Sequence, residues 1–150
     1  MSLDKEITSA LKDAMKAKDS QALEALRAIR SELLLAQRET GAKKELSEAD
    51  ETRILQRLVK QRKDSAAIYS EQGRADLAEP ELAQVKIIEK FLPEQMTEAE
   101  IEEVVDKVIA NTGASSMADM GKVMGMANAE IAGRADGKTI ANFVKQKLSS

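Results

Sequence analysis

The segment Phe91-Leu-Pro-Glu-Gln-Met-Thr-Glu-Ala-Glu100 contains a proline and, after it, a pattern that begins helices. Pro93 disfavours helical backbone at the residue before it, so the preceding helix is expected to end at or before Leu92. Thr97 and Glu100 have the spacing of a capping box, in which each side chain accepts a hydrogen bond from the backbone of the other residue. The segment therefore predicts a boundary between two helical units.

Four stripes of apolar residues precede this boundary, each with the spacing that lines one face of a helix. We expect residues 41–46 to form a polar loop and Pro80 to lie in the first turn of the fourth helix, where its missing amide costs nothing. Residues that cap or end helices separate the stripes: Asp19 or Ser20, Gly41, Ser47 and Gly73. The stripes are Leu3, Ile7, Leu11 and Ala14 or Met15; Leu23, Leu26, Ile29 and Leu33; Ile54, Leu55, Leu58, Val59, Ala66 and Tyr69; and Leu82, Val85, Ile88 and Leu92.

Three further helices are predicted after the boundary. The second opens with a capping box at Ser116 and Asp119, and the third begins near Asp136. The inward positions of the first and third are Ile101, Val104, Val105, Val108 and Ile109, and Ile140, Phe143, Val144 and Leu148. A single bundle is the alternative, but Pro93 and the acidic sequence after it favour two units. We predict an all-α fold with an N-terminal four-helix domain at residues 1–92 and a C-terminal three-helix domain at residues 94–148.

The composition excludes several kinds of active site. The chain of 150 residues has no cysteine and no histidine, which rules out disulfides, thiolate or imidazole metal ligands and histidine bases. Ser115 and Ser116 lie near Lys122, but the glycine- and serine-rich setting of a Ser-Ser-Lys amidase is missing, and capping explains Ser116 better. We expect no catalytic residues, no metal site and no cofactor in this chain.

The location of the protein is predicted from two further features. No apolar run approaches the roughly 20 residues of a membrane helix. The beginning of the sequence lacks the basic and apolar regions of a signal peptide. We therefore expect a cytoplasmic protein without a membrane partner.

The charge of the last third changes along the chain. The net charge of −3 argues against generic nucleic-acid binding, and we expect no DNA partner. Residues 94–119 are acidic, whereas residues 120–150 are basic. Within the basic part, Gly133-Arg-Ala-Asp-Gly-Lys138 leads into a helix N-terminus, whose amides can bind phosphate beside Arg134 and Lys138. A plain turn with Asp136 as the N-cap is an equally good interpretation.

Methionines and glycines share the helix before that turn. Met117, Met120 and Met124 have the spacing of one helix face, and we favour a core role for them over a ligand groove. Gly121 and Gly125 lie on one side of the same helix, where each glycine costs on the order of 1 kcal/mol relative to alanine. Close approach of another helix is the favoured reason, and approach of a phosphate backbone is the alternative.

The third helix carries a run of basic residues. We favour a solvated face paired with neighbouring acids, and keep a second basic patch as the alternative. The residues of this patch, with one more cation after Gly73, are Arg57, Lys60, Arg62, Lys63 and Arg74.

A combination of short motifs resembles the YqeY-like family over almost the whole chain. Residues 94–148 also resemble the tail domain of GatB, the B subunit of the tRNA-dependent amidotransferase. The motifs, in order, are Lys63-Asp-Ser65, Gly73-Arg74-Ala-Asp76-Leu77, Glu81, Phe91-Leu-Pro-Glu-Gln95, Met120-Gly-Lys-Val-Met-Gly125, Ala135-Asp-Gly-Lys138, and Val144-Lys145 through Leu148.

The resemblance implies a C-terminal unit that contacts tRNA in its relatives. It places Lys122, Arg134, Lys138 and Lys145 where that unit would meet the RNA backbone. Our leading hypothesis is a non-catalytic module in translation that binds tRNA or another structured RNA. The second is a protein adaptor that docks on an amidotransferase or aminoacyl-tRNA synthetase through the basic third helix or the methionine-rich face. The third is a carbon-nitrogen ligase with glutamine as amido donor, the activity attached to the amidotransferase relatives.

Overall fold

The computed structural model describes residues 2–39, 41 and 46–149, and these residues form helices and turns without a β-strand. The predicted all-α fold is thereby confirmed. The predicted loop at residues 41–46 lies largely outside the described residues. The seven α-helices of the described chain are α1 Leu3–Ala17, α2 Ser20–Glu39, α3 Glu48–Glu71, α4 Ala75–Glu89, α5 Glu98–Thr112, α6 Met120–Ile131 and α7 Gly137–Leu148, with a 3₁₀ helix at Met117–Asp119.

The chain divides into two compact units, Met1–Leu92 and Pro93–Ser150. In the first unit, α1 to α4 bury one apolar core, and Gln84 is the one polar side chain buried among the described residues. Its amide is satisfied at both ends, since Arg62 Nε donates to its oxygen at 2.8 Å and its nitrogen donates to Gln21 Oε1 at 3.3 Å. The core residues are Leu3, Ile7, Leu11, Ala14, Ala25, Leu26, Ile29, Leu33, Ile54, Leu55, Leu58, Val59, Val85 and Ile88.

Local capping signals place most helix starts. The side chain of Asp19 accepts a hydrogen bond from the backbone N–H of Ala22 at 3.1 Å, and Ser47 accepts from that of Asp50 at 3.1 Å. These bonds satisfy amides that have no partner within their own helix. The Asp19 and Ser47 caps are confirmed as sequence signals.

The prediction for Pro80 is wrong. Helix α4 begins at Ala75, so Pro80 lies inside the helix rather than in its first turn. The helix begins early because Gly73, at φ 71°, ends α3 and Arg74 already stands at the N-cap position of the next helix. Pro80 therefore removes one internal backbone hydrogen bond of α4, which the apolar burial of Val85 and Ile88 offsets.

The second unit has a core of its own. Helix α5 begins with the predicted capping box, in which Glu100 N donates to Thr97 Oγ1 at 3.2 Å and Thr97 N donates to Glu100 Oε1 at 3.1 Å. Helices α5, α6 and α7 each contact the other two. The residues they bury are Ile101, Val105, Val108, Val123, Ala127, Ile131, Ala135, Ile140, Val144 and Leu148.

The start of the methionine-rich helix differs from the prediction. The segment Met117–Asp119 is a 3₁₀ turn, and the α-helix begins at Met120. The carboxylate of Asp119 accepts from the backbone N–H of Ser115 at 3.0 Å and of Ser116 at 3.4 Å. Asp119 therefore has a capping role. Because the segment Met117–Asp119 is a 3₁₀ helix, the α-helix begins three residues later than predicted.

Candidate nucleic-acid interface

The four predicted RNA-binding cations lie on the last two helices and the turn between them. Lys122 is in the first turn of α6, Arg134 is in the turn, and Lys138 and Lys145 are on α7. The three lysines are exposed. Lys138 and Lys145 are seven residues apart, which places them on the same side of α7, about 10 Å apart along its axis.

Two other lysines of the second unit form ion pairs that join α5 to α6 and to α7. Lys107 Nζ lies 3.4 Å from Glu130 Oε1, and Lys147 Nζ lies 2.7 Å from Glu102 Oε1 and 3.3 Å from Asp106 Oδ1. The hydrogen bonds that Lys147 donates, first to Glu102 and then to Asp106, raise the pKa of Lys147. No carboxylate of the described residues lies within ion-pair distance of the three predicted lysines, Lys122, Lys138 and Lys145.

The paired residues also show which sides of α6 and α7 face α5. Lys147 contacts α5, and Lys138, nine residues earlier, lies about 180° away around α7. Glu130 contacts α5 in the same way, and Gly121, nine residues earlier, lies about 180° away around α6. In a unit of three mutually contacting helices, the sides of α6 and α7 turned away from α5 border one surface.

Arg134 holds two parts of the second unit together. Its Nε donates to the carbonyl of Glu94 at 2.9 Å, and its own carbonyl accepts from the backbone N–H of Met96 at 2.7 Å. Gln95 Nε2 donates to the carbonyl of Gly133 at 3.3 Å. The half-buried Arg134 therefore ties the segment before α5 to the turn before α7, unlike the free lysines.

The N-terminus of α7 holds an acidic side chain. Asp136 is its N-cap, and its Oδ1 accepts from the backbone N–H of Thr139 at 2.7 Å. This is the plain capped turn of the second interpretation. A carboxylate thus occupies the position where the first interpretation expected a phosphate, and the two anions would repel each other.

The prediction that Gly121 and Gly125 permit close packing of another helix is wrong within the described chain. Both are exposed, and a Cβ built on either would meet no heavy atom within 4 Å. Their helix buries its opposite side, through Val123, Ala127 and Ile131. The periodicity shows that two glycines share a side, but not which side faces the core.

The methionine prediction holds in part. Met120 and Met124 pack half-buried against the core, whereas Met117 is 45% exposed. Met117 departs from the stripe because it belongs to the 3₁₀ turn. A further methionine, Met126, is 44% exposed on the surface of α6. It lies four residues after Lys122, a spacing that places both residues on the same side of the helix.

The basic patch of the first unit is neutralised by neighbouring groups. Arg57 pairs with Glu32 at 2.6 Å, Lys60 with Asp64 at 2.7 Å, and Lys63 with Glu89 at 3.5 Å. Arg62 donates to Gln84 and to the carbonyl of Leu58. Arg74 pairs with Asp76 at 3.1 Å, and its hydrogen bond lowers the pKa of that carboxyl. These pairs agree with the favoured interpretation of the basic run on α3, a solvated face paired with neighbouring acids.

The described part of the chain lacks the features of two other kinds of site. Its helices include none that is long and apolar enough to cross a membrane. Its acidic side chains form no group of three or more that could hold a metal ion.

The described residues form an all-helical protein of two units, and the second unit carries exposed lysines on α6 and α7 that have no carboxylate partner among the described residues. A family model described as Yqey-like protein matches residues 4–148. The chain belongs to the YqeY-like family.

Two curated relatives are similar to part of this chain. One is a glutamyl-tRNA(Gln) amidotransferase subunit of Thermococcus gammatolerans, 33% identical over 73 residues that cover 46% of this chain and 12% of that protein. The other is altered inheritance of mitochondria protein 41 of Clavispora lusitaniae, 36% identical over 98 residues that cover 65% of this chain and 55% of that protein. The second relative is mitochondrial, so the cytoplasmic location of this chain stays a prediction.

Proposed function

We propose that this protein is a binding module for tRNA or a similarly structured RNA. The RNA would contact the basic face of the second unit, which consists of Lys122, Lys138 and Lys145 with Gly121 and Gly125. This proposal concerns binding and assigns no chemical step to the chain.

The observation that carries the proposal is that some lysines of the second unit form ion pairs and others have no described partner. Lys107 pairs with Glu130 of α6 and Lys147 pairs with two acids of α5, whereas Lys122, Lys138 and Lys145 are exposed without a described carboxylate partner. Three exposed lysines without a described carboxylate partner give a local positive potential in a chain of net charge −3. Such a surface favours a polyanion, since each phosphate contact releases counterions.

The two glycines support approach of a nucleic-acid backbone. Each costs about 1 kcal/mol relative to alanine in a helix interior, and the open space around both shows no packing reason within the described chain. A helix surface without side chains lets a sugar-phosphate backbone come closer to the lysines beside it. Ala129, exposed and four residues after Gly125, extends this flat surface.

The type of RNA follows from the relatives and from the aromatic residues. The name of one relative joins an amidotransferase to glutamyl-tRNA, which makes tRNA the first RNA to test. Tyr69, Phe91 and Phe143 are all half-buried, so an exposed platform for stacking bases is absent from the described residues. Recognition would then rest on the shape and phosphates of a folded RNA.

The test is a titration of labelled tRNA with the full chain. The variant Lys122→Ala/Lys138→Ala/Lys145→Ala is compared with Lys5→Ala/Lys12→Ala/Lys16→Ala, which removes the same charge from the exposed side of α1. We expect at least about tenfold weaker binding for the first variant and little change for the second. The proposal fails if wild-type protein does not bind at about 50 mM salt, or if the two variants lose affinity equally.

A further inference from the structure

A second exposed face lies on α2 in the first unit. Arg27, Arg30, Leu34, Leu35 and Arg38 are all exposed on the side of α2 that faces away from the core. We call these five residues the arginine–leucine face. From Arg27 to Arg38 it extends about 16 Å along the helix, roughly three turns.

The leucines of this face are exposed without a structural reason in the described chain. Leu34 is 44% exposed and Leu35 is 50% exposed, although α2 buries Leu26, Ile29 and Leu33 on its other side. Together the two leucines form a small apolar patch, which can contribute to a contact with another protein.

The arginines of this face also lack ion-pair partners in the part of the chain that the structure describes. Arg27, Arg30 and Arg38 have no carboxylate of the described residues within ion-pair distance. The one acid of α2 that forms an ion pair, Glu32, is bound to Arg57 of α3. The face therefore combines two exposed leucines with three positive charges that have no carboxylate partner among the described residues.

We propose that the arginine–leucine face binds an acidic amphipathic helix of a different protein. Apolar residues of that helix would cover Leu34 and Leu35, and its carboxylates would pair with Arg27, Arg30 and Arg38. Protein interfaces have this arrangement of an apolar centre with a polar rim, and arginine is enriched in them. Three turns are enough to align with the repeating apolar residues of a docked helix.

The alternatives fit the same residues less well. RNA would satisfy the arginines, but its phosphates would leave the two leucines exposed. A second copy docked through the same face would place arginines against arginines. The acidic helix α5 of a second copy is also unsuitable, because its apolar residues Ile101, Val105 and Val108 are buried in its own core.

The test uses a photoreactive residue in the full chain. A benzophenone amino acid replaces Ser31, an exposed residue on the arginine–leucine face, and the control replaces Ser9, an exposed serine of α1. After irradiation in cells of the native host, adducts are treated with nuclease and identified by mass spectrometry. We expect an adduct from position 31 and not from position 9, joined to an acidic segment with apolar residues three and four apart.

Two variants and a synthetic peptide complete the test. Leu34→Ser/Leu35→Ser and Arg27→Ala/Arg30→Ala/Arg38→Ala should each abolish the adduct, while their circular dichroism and melting temperature stay close to wild type. The crosslinked segment is also made as a synthetic peptide. Its affinity for the wild-type protein should be at least tenfold higher than its affinity for either variant.

Other results would overturn the proposal. One is an adduct at position 31 with RNA, lipid or a second copy of this chain. Another is that position 31 gives no adduct that position 9 does not also give. A third is that the peptide binds both variants as tightly as it binds the wild-type protein. The proposal goes beyond the binding of RNA. The lysine variants of the second unit should leave this adduct unchanged, so the two proposals fail separately.

Discussion

At the scale of the residue, the structure separates side chains that the sequence presents as equivalent. Arg134 and Lys138 flank the same turn, but the first donates to the carbonyl of Glu94 and the second has no described partner. The sequence identifies both as cations near a helix start. It does not show that the segment before α5 returns to this turn, because that contact joins residues 40 positions apart.

Exchanging Arg134 and Lys138 for alanine should separate stability from binding. We expect Arg134→Ala to lower the free energy of unfolding by about 1 kcal/mol, since it leaves the Glu94 carbonyl without its donor. Lys138→Ala should leave stability unchanged and weaken tRNA binding. Denaturant titration and tRNA titration of both variants measure the two effects. If Arg134→Ala weakens binding while stability stays at the wild-type value, Arg134 contacts the RNA directly.

Replacing the two exposed glycines of α6 should change stability in the opposite direction from Arg134→Ala. We expect Gly121→Ala/Gly125→Ala to raise the free energy of unfolding by about 1 kcal/mol per site, because alanine favours the helix and its methyl group meets open space. The same variant should bind tRNA more weakly, since two methyl groups are added to the surface. Ala129→Gly, on the same side, is the control and should be less stable. Lower stability of the double variant would mean that the glycines pack against something.

At the scale of the element, local signals predicted the helix starts well where a side chain caps the helix. Thr97 with Glu100, Ser47 and Asp136 were all identified from short-range spacing. Pro80 was misplaced because a proline is also tolerated within a helix whose burial offsets one lost hydrogen bond. The side of α6 that faces the core was also misjudged, since alternating methionine, glycine and alanine give little contrast between its two sides.

The capping box of α5 should make the second unit sensitive to acid. The backbone N–H of Thr97 and then its hydroxyl lower the pKa of Glu100. Because its folded pKa lies below the unfolded one, Glu100 contributes stability above the unfolded pKa and loses it as the pH falls through the folded pKa.

Thermal melting of three proteins across the acidic pH range tests this. We expect Thr97→Ala to cost about 1 kcal/mol at neutral pH. Glu100→Gln should be less stable than wild type at neutral pH, and the difference should shrink on acidification. A difference that stays constant with pH would show that the charge of Glu100 does not contribute.

At the scale of the whole molecule, each unit has its own core and its own unpaired positive charges. On the first unit the basic residues of α3 are neutralised, and three arginines of α2 near Leu34 and Leu35 have no carboxylate partner among the described residues. On the second unit Lys122, Lys138 and Lys145 have no described carboxylate partner, and two glycines of α6 are exposed. The sequence predicted the helical fold because helix periodicity is local. It did not predict which cations are free, because pairing depends on contacts between helices.

The salt dependence of tRNA binding tests the proposed basic face most directly. Affinity of wild type and of Lys122→Ala/Lys138→Ala/Lys145→Ala is measured from low to physiological salt, with Lys5→Ala/Lys12→Ala/Lys16→Ala as the control. Affinity falls as salt rises, so this slope is negative. If the three lysines contact phosphates, the slope of log affinity against log salt should become less steep by about 2 to 3 in the first variant and stay at the wild-type value in the control. An unchanged slope in the first variant would contradict RNA binding through this face.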